Sequence, residues 1–199
     1  TTSMPGDVNK YQMSYGNGMP PTGTLVAMNF HDPTWSKGSM SVRHPNGTYE
    51  SRTYEGANGK AVLTYSSRPL GQGIKTRTLV PDTNLVASQT DFNDVVTTTT
   101  WNTTRELPLT TVRASSRPEA QTTVFTWHPQ WSLPTLVTTS GQNTSNTHQY
   151  TYDTKGNMLT HVWTSSLSTT PITTSATYQA NSLMATETDA MGVVTQYTY

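Results

Sequence analysis

An aromatic residue recurs through the C-terminal half of this chain at Trp101, Trp127, Tyr152, Tyr178 and Tyr199, with spacings of 26, 25, 26 and 21 residues. A period between about 20 and 50 residues marks a repeat architecture, in which each unit buries its apolar face against its neighbours. About 25 residues accommodate two strands of roughly six residues and two turns. One repeat is then one hairpin, and successive hairpins add strands to a growing sheet. The aromatic of each unit would stand beside the next as a ladder.

Composition supports strands over helices. Thr contributes 41 of 199 residues, and its branched Cβ suits a pleated strand and resists a helix. Apolar residues are only 32% and charged residues 12%. That combination could signal disorder, but disordered chains are poor in aromatic and β-branched residues, whereas aromatics here are 9%. With 13 Gly and 12 Pro, the chain reads as all-β with many short strands and turns. No segment sustains an i, i+3, i+4 apolar stripe, so essentially no helix is predicted.

Twelve basic residues balance 12 acidic ones, and a neutral chain does not suggest nucleic acid or an anionic membrane as a partner. The absence of Cys excludes disulfides, thiolate metal sites and Cys nucleophiles. No apolar run approaches the roughly 18 residues of a membrane-spanning helix. The first residue is Thr1, and Tyr199 falls inside a repeat. The chain is therefore read as part of a longer protein.

Residues 1–23, rich in Gly, Pro and Met, read as a loop or extended lead-in. Residues 24–81 read as a hairpin segment of degenerate repeats, with strands over 24–30, 39–43, 48–54, 61–65 and 75–80. Asn-Gly turn signals stand at 45–47 and 56–59. Residues 66–74 break the pattern and read as a loop. From residue 82 onward, repeats of about 25 residues run to the end. Strands are predicted over 85–91, 95–101, 107–114, 121–127, 135–140, 148–152, 158–165, 173–178, 182–188 and 193–199.

Two internal matches carry the repeat. Residues 90–101 and 188–199 share Thr, Asp, Val, Val, Thr and Thr in register and both end on an aromatic. Trp101 is followed after six residues by Leu107-Pro108, and Trp127 after six by Leu133-Pro134. The fullest unit is Tyr150-Thr151-Tyr152-Asp153-Thr154-Lys155-Gly156-Asn157-Met158-Leu159. Asp153 can accept a hydrogen bond from the backbone two residues on, and Gly156 can take a positive φ, so strand, turn and strand are all encoded.

Tyr-Thr-Tyr-Asp-x-x-Gly-Asn-x-Leu resembles the YD motif of the Rhs (rearrangement hotspot) repeat family. The segment from Thr188 through Asp189, Gly192 and Tyr197 to Tyr199 resembles the other half of that repeat. The resemblance is closest over 147–199, looser over 82–146 and faint before 82. The Trp101 and Trp127 units depart from it: Trp replaces Tyr, and Asn102 or His128 replaces Asp. The resemblance implies a β-ribbon spiralling into a hollow shell. In this family such shells enclose a toxic C-terminal domain (bacterial Rhs proteins, the B and C components of Tc toxins) or support cell adhesion (teneurins). The family's C-terminal core motif and self-cleaving aspartates are absent from this sequence, so no catalytic residue is carried over.

The residues singled out are structural: Asp91, Trp101, Trp127, Tyr150, Tyr152, Asp153, Gly156, Leu159, Tyr178, Asp189, Gly192, Tyr197 and Tyr199. Asp91, Asp153 and Asp189 recur at turn positions and read as caps rather than as catalytic or metal-binding carboxylates. His31, His44, His128, His148 and His161 are scattered without the spacing of a zinc site. No Gly-x-Ser-x-Gly elbow supports a hydrolase. Asn-x-Ser/Thr at Asn46, Asn102 and Asn143 is expected by chance in so Thr-rich a chain.

The reading is a non-enzymatic structural segment of a secreted or cell-surface bacterial Rhs/YD-repeat protein, with no cofactor and no metal. It would form part of a β-shell that encapsulates or presents a C-terminal domain. Its partners would be the rest of the same polypeptide, the enclosed domain, and further copies through open sheet edges, with no nucleic acid and no membrane span. The alternative is a cell-surface adhesion or carbohydrate-binding β module that uses exposed Trp and Tyr.

Overall fold

The computed structural model describes residues 12–16, 37–43, 48–57, 60–68 and 73–199. These residues are all-β and contain no helix. Fifteen strands follow in chain order: β1 Gln12–Gly16, β2 Lys37–Arg43, β3 Tyr49–Ala57, β4 Lys60–Ser67, β5 Ile74–Leu79, β6 Val86–Thr90, β7 Val96–Asn102, β8 Leu107–Arg113, β9 Gln121–Trp127, β10 Pro134–Gly141, β11 Thr144–Tyr152, β12 Met158–Ser165, β13 Ser168–Tyr178, β14 Met184–Thr188 and β15 Val194–Gln196. Each strand pairs with the next in sequence, which is the hairpin meander that a 25-residue period calls for.

Contacts divide the chain into a unit of residues 1–98 and a unit of residues 99–199. In the first, β1 to β6 and the start of β7 pair antiparallel in succession. In the second, β8 to β15 do the same. The division falls inside β7. The boundary drawn at 81/82 in the sequence marks where the motif becomes recognisable, which is a different property.

β9 and β12 span the residues expected from the pattern. Other segments differ. β1 lies within the expected lead-in 1–23; its partner is the backbone of β2, so five residues suffice without alternation of their own. β11 begins at Thr144 and β13 at Ser168, four and five residues earlier than expected. Positive φ at Gln142 (42°) and Asn143 (69°) closes a tight hairpin turn, so pairing starts as soon as the chain reverses. β13 also contains Pro171, a residue that central ladders exclude. It falls between the Ser165–Ser168 and Trp163–Ile172 pairs, where the register shifts, so no ladder donor is missed. β15 stops at Gln196 rather than Tyr199. The expected strand 24–30 and the turn at 45–47 lie outside the described residues, as does half of the turn at 56–59.

The predicted break at 66–74 is narrower than expected, since Ser66 and Ser67 belong to β4 and Ile74 to β5, and residues 69–72 lie outside the described residues. The Arg68 amide donates to the Gly73 carbonyl at 3.2 Å, and the Arg68 guanidinium lies 4.1 Å over the Phe92 ring. A Cβ on Gly73 would meet the Phe92 carbonyl oxygen at 2.6 Å, and Gly73 has φ of 108°. Only glycine permits that approach.

Burial is shallow. Among the described residues only Ala114 and Ala176 are buried apolar residues, and no large side chain is fully enclosed. The sheet therefore draws little from a two-sided core. Opposed hydroxyls contribute instead: Thr123–Thr139 at 3.1 Å, Thr138–Thr147 at 3.3 Å, Thr151–Thr160 and Thr177–Thr186 at 2.6 Å. Each of these pairs is directly opposite across neighbouring strands, a contact worth about 0.2–1 kcal/mol. This is the structural use of the Thr excess.

Among the described residues β15 pairs only with β14, and Met191, Val193 and Val194 beside its free edge are 87%, 61% and 54% exposed. Unprotected edges of this kind template pairing with another chain. The 199-residue chain is expected to self-associate with rising concentration in light scattering, and Val194→Lys to reduce that association. A monomer at all concentrations would contradict it.

Candidate functional site

The 99–199 unit concentrates its specific contacts in a column of turns along one edge of its sheet. The turns are 102–107, 128–133, 153–157 and 179–183, each following an aromatic anchor. At 153–157 the Asp153 amide donates to the Asn157 carbonyl at 2.9 Å, and the Gly156 amide to the Asp153 carbonyl at 3.1 Å. The Asp153 carboxylate Oδ1 accepts from the Lys155 and Asn157 amides at 2.8 and 2.9 Å. Oδ2 accepts from the Asn157 side chain at 2.8 Å. Gly156 completes the reversal with φ of 86°. The side-chain bond from Asn157, with the two backbone donors and the Lys155 charge, holds the Asp153 carboxyl below its ordinary value, against a smaller desolvation effect.

The same frame recurs with different residues. Asp189 accepts from the Met191 and Val193 amides at 2.8 and 2.9 Å, with Gly192 at φ of 83°. In the other unit Asp91 accepts from Asn93 and Val95 at 2.8 and 3.0 Å, with Asp94 at φ of 57°. Gln179 and Ser182 take the Asp and Gly places at 179–183, where the backbone bonds persist at 2.8 and 2.9 Å and Ser182 has φ of 64°. At 128–133 the His128 ring acts as the cap: its Nδ1 accepts from the Gln130 and Trp131 amides at 3.2 and 3.3 Å. At 102–107 Asn102 Oδ1 accepts from the Arg105 amide at 3.1 Å. The Trp101 and Trp127 units, where Asn102 and His128 replace Asp, thus keep the cap's chemistry.

Turns bind one another across the repeat. Arg105 reaches from its turn to the carbonyls of His128 and Trp131 at 2.9 and 2.6 Å. Lys155 Nζ donates to the Ala180 carbonyl, and the Asn157 amide nitrogen lies 3.2 Å from the Ser182 hydroxyl. A Cβ on Gly156 would stand 3.5 Å from Leu133 and 3.7 Å from Trp131, so the 153–157 turn rests on the 128–133 turn.

Two anchors also reach back by hydrogen bond. Trp127 Nε1 donates to the Pro108 carbonyl at 2.6 Å, and the Tyr152 hydroxyl to the Pro134 carbonyl at 2.7 Å. Each acceptor is the Pro of a Leu-Pro step. Burial pushes the Tyr152 phenol up, with Tyr150 adding to it. Trp101 is the last residue but one of β7, Leu159 lies near the start of β12, and Tyr178 pairs with Met184. The Tyr197 hydroxyl donates to Glu187 at 3.0 Å, and this bond raises its phenol above the ordinary value. Tyr199 is exposed.

Register brings a second group together on β11 and β12. Tyr150 stands opposite His161, and His148 opposite Trp163. The Tyr150 and His161 rings are 4.8 Å apart and within 8° of parallel. His148 and Trp163 are 6.4 Å apart and within 17°. His148 Nδ1 and His161 Nε2 are 2.9 Å apart. Burial, with the His148 ring beside it, holds His161 below the usual histidine value. The two histidines are 13 positions apart in sequence, and their reading as scattered is corrected by the hairpin: a reversal centred near residue 155 folds 148 and 161 onto each other. Among the described residues no three His, Asp or Glu side chains gather as a metal group.

No family model matches the sequence, and no curated protein matches it. Among solved structures the chain is similar to one in the crystal structure of TcdB2-TccC3-Cdc42, at a TM-score of 0.56 and 15% identity. The match covers 83% of this chain and 10% of that one. At that identity the likeness is one of fold: an all-β antiparallel meander.

Substitutions test the column. Gly156→Ala is expected to destabilise by about 1–2 kcal/mol in urea unfolding, the cost of an L side chain at positive φ. Tyr152→Phe is expected to lose about 0.5–1.5 kcal/mol, the net worth of one hydrogen bond. For pH the sign follows from Asp153. Its folded value is depressed, so its contribution is present above the unfolded carboxylate value and lost as pH falls through the folded one. Asp153→Asn should flatten the acid limb of the urea midpoint against pH; an unchanged limb would contradict the capping role.

Proposed function

We propose that this chain is a wall segment of a longer Rhs/YD-repeat protein, secreted or displayed at a bacterial cell surface, whose β-shell encapsulates or presents a further domain. The observation that carries the reading is the turn column, in which each hairpin of the 99–199 unit is clamped to a neighbour through backbone carbonyls. Such clamping extends a sheet without a second layer, which is what a wall requires. The YD-like residues Tyr152, Asp153, Gly156 and Asn157 hold this geometry, and the fold likeness to a chain of TcdB2-TccC3-Cdc42 supports it.

The mechanism is exclusion rather than catalysis. A closed wall keeps its contents from the outside until it opens, and its lining needs side chains that do not fix the cargo. Neutral Thr hydroxyls already paired with one another suit that task. The carbohydrate-binding alternative asks for free ring faces and free polar edges. Trp127 and Tyr152 instead spend their donors on backbone carbonyls, and Tyr150 and His161 cover one another.

Limited proteolysis of the longer polypeptide tests the reading. The domain beyond the repeats is expected to resist protease in the intact protein and to become sensitive when the wall is opened. Digestion at the same rate in both states would overturn encapsulation, and saturable glycan binding by the 199-residue chain, lost in Trp127→Phe, would favour the alternative.

A further inference from the structure

His148 and His161 are held by backbone pairing rather than by a packed core. Their strands β11 and β12 are paired on either side of both residues, so the Cα positions are fixed while the rings remain half exposed. The rings lie within 12° of parallel with centroids 5.1 Å apart. With the two nitrogens 2.9 Å apart, that separation means the rings meet edge to edge and share one proton. The neighbouring strands place Val137 opposite His148 and Thr174 opposite His161, and the remaining near groups are Tyr150 and Trp163. No carboxylate faces the pair from these positions.

We propose that this pair is a two-histidine site for a late divalent transition metal of the copper(II) or nickel(II) kind, bound where the shared proton now lies. Imidazole suits these ions, while calcium and magnesium demand oxygen ligands that this face does not supply. Separation narrows the choice. Nitrogens 2.9 Å apart, each about 2.0 Å from a metal, subtend about 90°, the cis angle of a tetragonal or octahedral ion. Tetrahedral zinc would need the nitrogens about 3.3 Å apart at similar bond lengths.

Binding requires each lone pair to swing off the line between the two nitrogens by roughly 45°, the base angle that goes with a cis angle of about 90° at the metal. Each ring tilts about its Cβ–Cγ bond so that both lone pairs aim at one point off the line between them. The imidazole that donates the shared proton moves it to its other nitrogen, so both rings bind as neutral ligands. Water completes the coordination. The Tyr150 ring, stacked on His161, limits the swing of that ligand.

Copper(II) chloride titrated into the 199-residue chain at pH 7.5 tests the site. One ion per chain is expected to bind saturably, to quench Trp163 emission, and to give an electron paramagnetic resonance spectrum split by two imidazole nitrogens. His148→Asn and His161→Asn should each weaken binding by at least about tenfold, since even an outer-shell partner counts on that scale. His128→Asn, which lies in a turn, should leave it unchanged. His148→Gln and His161→Gln replace the Asn variants where circular dichroism shows loss of the sheet. Equal affinity in all variants, as an N-terminal amine site would give, overturns the proposal, as does a spectrum without two imidazole nitrogens.

Discussion

Backbone carbonyls at turns and at the strand starts that follow them are what the neighbouring repeat holds. A hairpin of about 25 residues buries little core of its own, and among the described residues no large side chain is fully enclosed. Cooperation between repeats must come from contacts that cross from one hairpin to the next. Arg105 on the His128 and Trp131 carbonyls, Trp127 on Pro108, Tyr152 on Pro134 and Lys155 on Ala180 supply them. Charged donors make the stronger bonds of this set.

The dependence runs outward from there. An Asp, Asn or His cap fixes the turn, and the turn presents its carbonyls at a set height. The neighbouring repeat's donor meets them only if the period is kept, which is why spacing survives where the motif does not. The exposed sheet faces are then free to vary, and Thr fills them with hydroxyls that satisfy one another across strands. A structure built this way behaves as a one-dimensional array, with stability set by nearest-neighbour terms.

Much of this was legible because the period and the turn chemistry are local. β9 and β12 stand where alternation placed them, and the reversal at Asp153 to Asn157 follows from two residues with well-defined turn behaviour. His128 was visible as a substitute for Asp, although that an imidazole nitrogen would accept the same two amides was not. β1 and the early starts of β11 and β13 carry no signal in the sequence because pairing there depends on a partner strand rather than on the strand's own pattern. The His148–His161 pair was invisible to sequence spacing, since hairpin register, not helical or linear periodicity, brings the rings together. The exposed β15 edge and the anchor-to-carbonyl bonds likewise belong to three-dimensional placement.

Amide hydrogen exchange in the chain carrying Arg105→Ala measures the turn-to-turn coupling directly. The amides of His128, Gln130 and Trp131, 23 to 26 residues from the substitution, are expected to exchange faster, while those around Gln142 and Asn143 at the opposite edge stay unchanged. Unaltered exchange across 128–133 would mean that the turns stand independently and that the column does not hold the repeats together.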